Sequence, residues 1–343
     1  MEKVKLSDIC NPKQWKTIPT SELLNEGYPV YGANGIIGYY NEYNHKNPVV
    51  VITCRGATCG SVNITVPKAY ITGNAMCLDD VRSDIEIEYL YYCLKHYDFN
   101  NVISGSAQPQ ITRKGMDKIQ IMLGSKHEQI EIVNRLKKVE LIIELKKQEL
   151  QSLDKLIKAR FIEMFGVYPA NPMGWEIVTI RDVVTDVRYG SSRPAVDGGK
   201  YPYLRMNNIT YDGELDLSDI KYIDIPDNEL DKCIVRRGDV LFNRTNSKEL
   251  VGKTCVYDRD GMMVLAGFVI RIRVGECILP EFLSAFLNTD FSKQMLLGMC
   301  KTAIGQANIN AQELQNIRLY LPPVDLQQRY VRFKTETDKS KVA

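Results

Sequence analysis

Six short motifs occur twice along the chain in the same order, and this duplication constrains the fold more than any other feature. Val4-Lys-Leu6-Ser-Asp8-Ile9 returns as Val178-Thr-Ile180-Arg-Asp182-Val183. Tyr28-Pro29-Val-Tyr, followed by Asn34-Gly-Ile36, returns as Tyr201-Pro202-Tyr-Leu, followed by Asn207-Asn-Ile209. The apolar run Val49-Val-Val-Ile-Thr-Cys-Arg55-Gly56 has its counterpart in Val240-Leu-Phe-Asn-Arg244-Thr245, which pairs Arg55 with Arg244. Tyr89-Leu-Tyr-Tyr-Cys-Leu94 matches Phe282-Leu-Ser-Ala-Phe-Leu287, and Gln108-Pro109-Gln110-Ile111 matches Gln306-Ala307-Asn308-Ile309. Finally Gln129-x-x-Ile132-Val133 matches Gln327-x-x-Tyr330-Val331. The offset rises from 174 to 198 along the chain, as insertions into the second copy would produce.

Each copy opens with short β-type runs between Gly, Asn and Pro turns, such as Pro48–Thr53 and Asp239–Phe242. A short helix follows (Ile87–Lys95, Pro280–Leu287), then irregular polar chain (Ser104–Ile111, Lys301–Ile309) and an extended segment (Ile119–Leu123, Ile317–Leu321). The expected class is α+β: two homologous domains with mixed or antiparallel sheets and long exposed loops, where binding residues tend to sit.

A helix closes the first copy over Lys126–Phe165, uninterrupted by Pro or Gly. Ile132, Leu136, Val139, Ile143, Leu150, Leu153 and Ile157, with the polar Lys146, keep a 4,3 spacing, the pattern of a coiled-coil seam. Forty residues at ~1.5 Å each make a rod of about 60 Å, a natural spacer. Gly166 and Pro169 end it. The second copy's helix should start at Pro323, run through Leu326, Tyr330 and Phe333, and dissolve over Thr335–Ala343. A short partner leaves part of the long seam uncovered, a surface awaiting another chain. The expected division is 1–125, the helix 126–165, 166–322, and a truncated second helix 323–343.

The 343 residues, 44% of them hydrophobic, suffice for two or three cores and are too apolar for a disordered chain. The longest apolar run, Met262–Ile270, is about half a membrane span, and the N-terminal Met1-Glu-Lys-Val-Lys carries no signal-like apolar stretch behind it. Nine irregularly spaced Cys suit free thiols in a reducing cytoplasm.

Catalytic motifs fail on chemistry. Gly252-Lys253-Thr254 ends like a phosphate loop, but Ser247 stands where its first glycine belongs, so a strand leaving a turn is expected. Asn171-Pro172-Met173-Gly174-Trp175 lacks the second proline of an amino-methyltransferase tetrad and reads as a turn anchoring Trp175 in a core. Cys54 and Cys59 find no partners at ligand spacing among His45, His96 and His127, so no metal site is expected. The chain is expected not to be an enzyme.

Two α+β domains with a long helix between them and a second helical region after them resemble the specificity (S) subunit of type I restriction–modification enzymes. Pro172-x-Gly174-Trp175-Glu176, the Gln108-x-Gln110-Ile111 and Gln306-x-Asn308-Ile309 loops, and the Gln-x-x-Ile/Tyr-Val helix starts carry the resemblance. It implies two target-recognition domains, each reading half of a split double-stranded DNA sequence in the major groove. It also implies helices that set the half-site distance and dock methyltransferase (M) subunits. S-adenosylmethionine and ATP would then belong to partner subunits, the M subunits methylating adenine and a restriction (R) motor subunit cleaving; this chain would hold no cofactor. The short C-terminal helix departs from the family pattern and suggests either a shortened or fragmentary subunit or dimerisation through the exposed seam. The partner interface would comprise the seven apolar seam positions above together with Tyr330 and Phe333.

Residues 1–125 carry 12 basic and 12 acidic groups, and residues 166–322 carry 18 and 20. Affinity from phosphates alone would need more positive charge, whereas base-edge reading needs Arg, Asn, Gln, Ser and Thr in loops. The first copy offers Arg55, Thr58, Asn74, Gln108, Gln110, Thr112 and Arg113 as DNA-binding candidates. The second offers Arg193, Arg205, Asn207, Arg244, Thr245, Asn246, Lys248, Gln306, Asn308 and Asn310. The pairs Gln108/Gln306, Gln110/Asn308 and Arg55/Arg244 stand out, while Tyr39, Tyr40 and Tyr43 are expected to pack on a sheet. The competing reading is an interaction protein whose duplicated domains bind other proteins.

Overall fold

The computed structural model describes residues 1–32, 34–105, 108–303 and 306–342. They form two compact units, Met1–Lys146 and Lys147–Ala343.

Unit 1 contains β1 (Glu2–Lys5), β2 (Asn11–Lys13), β3 (Tyr28–Gly32), β4 (Gly35–Tyr40), β5 (Val50–Thr53), β6 (Val62–Ile64), β7 (Tyr70–Ile71) and β8 (Ala75–Asp79). Then come α1 (Ile87–Lys95), β9 (Ile103–Ser104), β10 (Gln110–Ile111), α2 (Arg113–Met116), β11 (Gln120–Leu123) and the start of α3 (Lys126–Phe165). The central sheet, ordered β2-β8-β5-β6, is antiparallel throughout. Val50 and Ile52 on one face join Tyr89, Leu90 and Leu94 of α1 and Val133 of α3, while Val51 and Cys77 on the other join Tyr31 and Ile71 of the β4-β3-β7 sheet. Both faces are covered, which is why Val50–Thr53 reads as a continuous apolar run rather than an alternation.

Unit 2 contains the end of α3, then β12 (Glu176–Thr179), α4 (Ile180–Val183), β13 (Val184–Tyr189), β14 (Tyr201–Leu204), β15 (Lys221–Ile223), α5 (Asp227–Cys233), β16 (Ile234–Val235), β17 (Val240–Asn243) and β18 (Thr245–Asn246). There follow β19 (Thr254–Val256), β20 (Met263–Leu265), β21 (Val269–Val274), α6 (Pro280–Leu287), α7 (Asp290–Met299), β22 (Lys301–Ala303), β23 (Gln306–Asn308), α8 (Ala311–Gln315), β24 (Arg318–Leu321) and α9 (Val324–Val342). Its central sheet, β13-β21-β17-β19, repeats β2-β8-β5-β6 strand for strand. Val51↔Cys77 and Ile52↔Met76 in unit 1 become Leu241↔Arg271 and Phe242↔Ile270 in unit 2.

The duplication therefore extends to hydrogen-bond register. Leu6 donates to the Ile119 carbonyl as Ile180 donates to that of Ile317, each at 2.9 Å. The drifting offset has a physical source: β4-β3-β7 recurs as β15-β14-β20, but α5 and β16 have no counterpart in unit 1, and α7 replaces a single turn at Phe99–Asn101.

The sequence expectations hold for α1, α3 and α6, whose bounds are those anticipated. Gly252, with φ of +80°, is the turn before β19. The turn before Trp175 is closed by Asn171, whose side chain bonds both the Trp175 amide and carbonyl, at 2.9 and 2.8 Å. Tyr28–Tyr43 and Tyr40–Tyr70 make edge-on ring contacts beside the β4-β3-β7 sheet. Ser104–Ile111, expected to be irregular, closes as the hairpin β9–β10.

The tail differs more. Residues Thr335 to Val342 do not dissolve but continue α9. No apolar seam is needed, because Lys334–Asp338 and Lys341–Asp338 pair along the helix and the Thr335, Thr337 and Ser340 hydroxyls donate to carbonyls four residues back. Helix α9 lies antiparallel to the second half of α3: Phe165 and Phe161 touch Tyr330, Arg160 covers Phe333, and Lys341 reaches Asp154 at 2.6 Å. Ile157 and Tyr330, expected in a partner interface, are buried in the unit 2 core because α9 covers that part of the seam.

Candidate nucleic-acid interface

In unit 1, three loops are tied together at the end of the central sheet where β5 terminates. Past Thr53 the chain turns at Gly56, where φ is +89°. The Cys54 amide donates to Asn74 O, the Ile111 amide to Cys54 O at 3.0 Å, and the Gly56 amide to Pro109 O at 3.1 Å. Arg55 bridges Gln110 through the backbone. This zipper leaves Arg55, Thr58, Asn74 and Gln108 exposed on one loop cluster, with Gln110 half-buried behind them. The Arg55 guanidinium has no hydrogen-bond or ion-pair partner among the described residues. Thr58 donates to Asn34 Oδ1. Thr112 and Arg113 do structural work instead: the Thr112 hydroxyl caps α2 by accepting from the Gly115 amide, and Arg113 donates to Asn11 Oδ1 at 2.9 Å.

The same junction in unit 2 is built on Arg244. Its amide donates to Phe268 O and its carbonyl accepts from the Ile309 amide, the bonds that Cys54 makes to Asn74 and Ile111. Thr245 pairs with Asn308 across β18–β23 where Arg55 faces Gln110. So Gln110 and Asn308 correspond as the sequence indicated, but Arg55 corresponds to Thr245, and Arg244 to Cys54. The pairing of Arg55 with Arg244 slips by one residue, because ladder register rather than residue identity fixes the equivalence.

What surrounds these positions differs between the copies. In unit 1, Gln14, at the position after β2, donates to Cys54 Sγ at 3.0 Å and to Gly73 O at 2.8 Å. Burial pushes the Cys54 thiol up, against the lowering influence of the Gln14 bond and of Arg55. In unit 2, Tyr189 at the end of β13 takes the place of Gln14, and the Arg244 guanidinium lies 4.8 Å over its ring. Arg244 Nη1 reaches Gly267 O at 3.5 Å, and its buried Nε has no partner among the described residues. Tyr189 Oη accepts from the Ala311 amide at 2.8 Å, and Phe268, 51% exposed, replaces Asn74. Gln14, Tyr189 and Phe268 are the positions that sequence reasoning missed.

The other unit 2 candidates separate by their partners. Arg193 is held by both carboxylate oxygens of Glu229, and Arg205 by the carboxylate and carbonyl of Asp219. Thr245 is buried and donates to Asn308 Oδ1, Asn246 accepts from the Ser247 amide, and Asn310 caps α8. Asn207 and Lys248 are exposed. The side chain of Gln306 lies outside the described residues, as do Ser106, Ala107, Ile304 and Gly305 in the two polar loops.

Along α3, Ile132 and Leu136 pack on the unit 1 core, and Leu153 is half-buried. Phe333 is half-buried under Arg160. Val139, Ile143 and Leu150 are exposed, together with Leu141, Ile142 and Leu145.

A family model described as the type I restriction modification DNA specificity domain matches residues 1–155 and again residues 172–342. The putative type I restriction enzyme MjaX specificity subunit of Methanocaldococcus jannaschii is 27% identical over 171 residues, 49% of this chain and 40% of that protein. The type I restriction enzyme EcoKI specificity subunit of Escherichia coli K12 is 28% identical over 159 residues, 45% of this chain and 34% of its own length. These matches thus span less than half of each relative. Among solved structures, the S subunit of a type I restriction–modification system from M. genitalium superposes with a TM-score of 0.55 at 14% identity, over 99% of this chain and 90% of that one. A chain from a structure concerning complex assembly and conformational transition of the type I R-M system superposes at 0.61 with 16% identity and the same coverage.

Proposed function

Since the chain belongs to the type I restriction modification DNA specificity family, we propose that it is a non-catalytic DNA-reading subunit, each unit addressing one half of a bipartite duplex target. The observation that carries this reading is the pair of register-equivalent loop clusters that differ in chemistry. One presents an exposed Arg55 beside Gln14, Asn74 and Gln108; the other presents Arg244 stacked on Tyr189 beside Phe268. A shared scaffold with unlike side chains at the same positions is what reading two different short sequences requires. Arg and Gln or Asn offer the bidentate base-edge contacts of direct readout, and the near-neutral charge leaves phosphate affinity to be completed by partners.

In this reading the partners are double-stranded DNA and methyltransferase (M) subunits, with a restriction (R) motor subunit joining through the complex. S-adenosylmethionine and ATP are held by those partners. The division into reading domains 1–125 and 166–322, with helical segments 126–165 and 323–343, belongs to the same reading. The exposed α3 positions between Val139 and Leu150 serve docking, including to a second copy. The complex works in the cytoplasm; among the described residues no helix is long and apolar enough to cross a membrane.

The test is reconstitution. The purified chain alone transfers no methyl group to DNA; with its cognate M subunit, adenine methylation appears at sites containing both half-sequences. Methyl transfer by the chain alone, or methylation by the M subunit that ignores the chain, overturns the proposal.

A further inference from the structure

Unit 1 brings together three side chains of the right chemistry to hold a metal ion, His45 being about thirty residues before Cys77 and Asp79. His45 Nε2 lies 2.9 Å from Asp79 Oδ1 and 3.4 Å from Cys77 Sγ, and Cys77 Sγ lies 2.9 Å from the same Asp79 oxygen. Cys77 and Asp79 are two apart on β8 and so project from one face of the sheet. His45 is brought over them by reciprocal backbone bonds to Ala69. Cys77 is fully buried, and the His45 and Asp79 side chains are only 10% and 12% exposed.

The surroundings orient these groups as the outer shell of a metal site does. Asn44 accepts from the Ile71 amide at 2.9 Å and donates to the Ile71 carbonyl at 3.0 Å, which fixes its amide so that Oδ1 is the acceptor. That oxygen is 2.7 Å from His45 Nδ1, so Nδ1 carries the proton and the neutral ring turns the lone pair of Nε2 toward Cys77 and Asp79. His45 Nε2, Cys77 Sγ and Asp79 Oδ1 thus converge on one point, all within 4.8 Å of one another. Trp15 donates to Asp79 Oδ2 at 3.0 Å, leaving Oδ1 as the inward oxygen, and closes the site with its ring edge-on to His45 at 5.0 Å.

We propose that His45 Nε2, Cys77 Sγ and Asp79 Oδ1 bind one Zn²⁺ ion. One thiolate, one imidazole and one carboxylate form a mixed set suited to a borderline-soft divalent ion rather than to Mg²⁺ or Ca²⁺, and water completes four-coordination. Binding releases the Cys77 thiol proton and, where the ring is doubly protonated, the proton on His45 Nε2. The bound ion fastens the segment before β5 to the central sheet. The sequence alone shows only the Cys77/Asp79 pair on one strand face; His45 joins them through its backbone pairing with Ala69, which leaves no local signature.

The test titrates the metal-free full-length chain with Co²⁺, then displaces it with Zn²⁺. The expected result is a thiolate-to-cobalt charge-transfer band that saturates at one equivalent and is abolished by stoichiometric Zn²⁺. Cys77→Ser, with its fold checked by circular dichroism, loses the band. Asn44→Ala keeps the band but weakens Zn²⁺ binding about 10–100-fold, the usual effect of removing an outer-shell partner. If Cys77→Ser does not fold, His45→Gln serves in its place and is expected to alter the ligand-field bands. Absence of a stoichiometric band in the unmodified chain overturns the proposal, as does an unchanged charge-transfer band in a folded Cys77→Ser protein or unchanged ligand-field bands in a folded His45→Gln protein.

Discussion

Gln129 and Gln327 hold the same place in the two units, each fully buried at the first turn of a closing helix with three matching hydrogen bonds. Gln129 Oε1 accepts from the Glu86 amide at 2.8 Å, and Nε2 donates to the carbonyls of Asp84 and Gly124, each at 3.0 Å. Gln327 Oε1 accepts from the Leu279 amide at 2.8 Å, and Nε2 donates to the carbonyls of Cys277 and Pro322 at 3.1 and 2.8 Å. In both copies the side chain locks the start of α3 or α9 to the loop that precedes α1 or α6.

Replacing either glutamine by leucine removes three hydrogen bonds to backbone groups, most of them part-buried. At ~1–3 kcal/mol for each unsatisfied group, Gln129→Leu should destabilise unit 1 by about 3 kcal/mol or more, and Gln327→Leu should do the same to unit 2. The two tryptophans, Trp15 and Trp175, fall one in each unit and report them separately. Urea unfolding of Trp15→Phe and Trp175→Phe backgrounds should show each substitution shifting the transition of its own unit first.

Arg244→Ala should weaken recognition of one half-site by about 1–3 kcal/mol and spare the other, and Arg55→Ala should do the reverse. Arg244→Lys should not rescue, because an ammonium reproduces neither the planar stack on Tyr189 nor a forked contact. Binding of the reconstituted complex to duplexes altered in one half-site at a time checks this. Equal loss at both half-sites contradicts it.

Much of this was legible in the sequence. The duplicated order, the bounds of α3 and the Gln129/Gln327 equivalence are carried by apolar periodicity and by an identical residue at a helix start. The one-residue slip between Arg55 and Arg244 was not legible, because the two strand ends share a basic residue while only inter-strand hydrogen bonds record register. Gln14 follows β2 and Tyr189 ends β13, strands with no clear apolar alternation, so their convergence on Cys54 and Arg244 is a tertiary fact. The end of α9 was misread for a related reason. Its helix is held by charge pairs and hydroxyl bonds, and by the Lys341–Asp154 contact, none of which leaves an apolar pattern.

Arg271 is buried in β21 with its guanidinium bonded to Asp186 and to the Ile234 carbonyl. Burial alone would raise the Asp186 carboxyl, but the bonds from Arg188 and Arg271 outweigh it and hold it below the ordinary value. A lowered carboxylate contributes stability that is present above its unfolded pKa, near 3.9, and is lost as pH falls through the folded value. Unit 2 should therefore lose stability below about pH 4, and Asp186→Asn should flatten that part of the profile while lowering stability at pH 7. Denaturation at a series of pH values, followed through Trp175, measures both effects.

Deleting seven residues from the exposed stretch of α3 that starts at Val139 keeps the heptad phase and shortens the helix by about 10 Å. With α3 as the spacer, the preferred half-site separation should contract by about three base pairs at ~3.4 Å per pair. Competition among duplexes that differ only in spacer length shows it, and an unchanged preference rejects α3 as the ruler.

The most direct measurement is to map the methylated positions produced on a random duplex library by the chain with its M subunit, for the unmodified protein and for Arg244→Ala. The expected map is a target of two short defined stretches separated by a fixed undefined gap, with Arg244→Ala relaxing one stretch alone. A single contiguous target, or a map that does not change with the chain supplied, contradicts two dissimilar reading surfaces built on one duplicated scaffold.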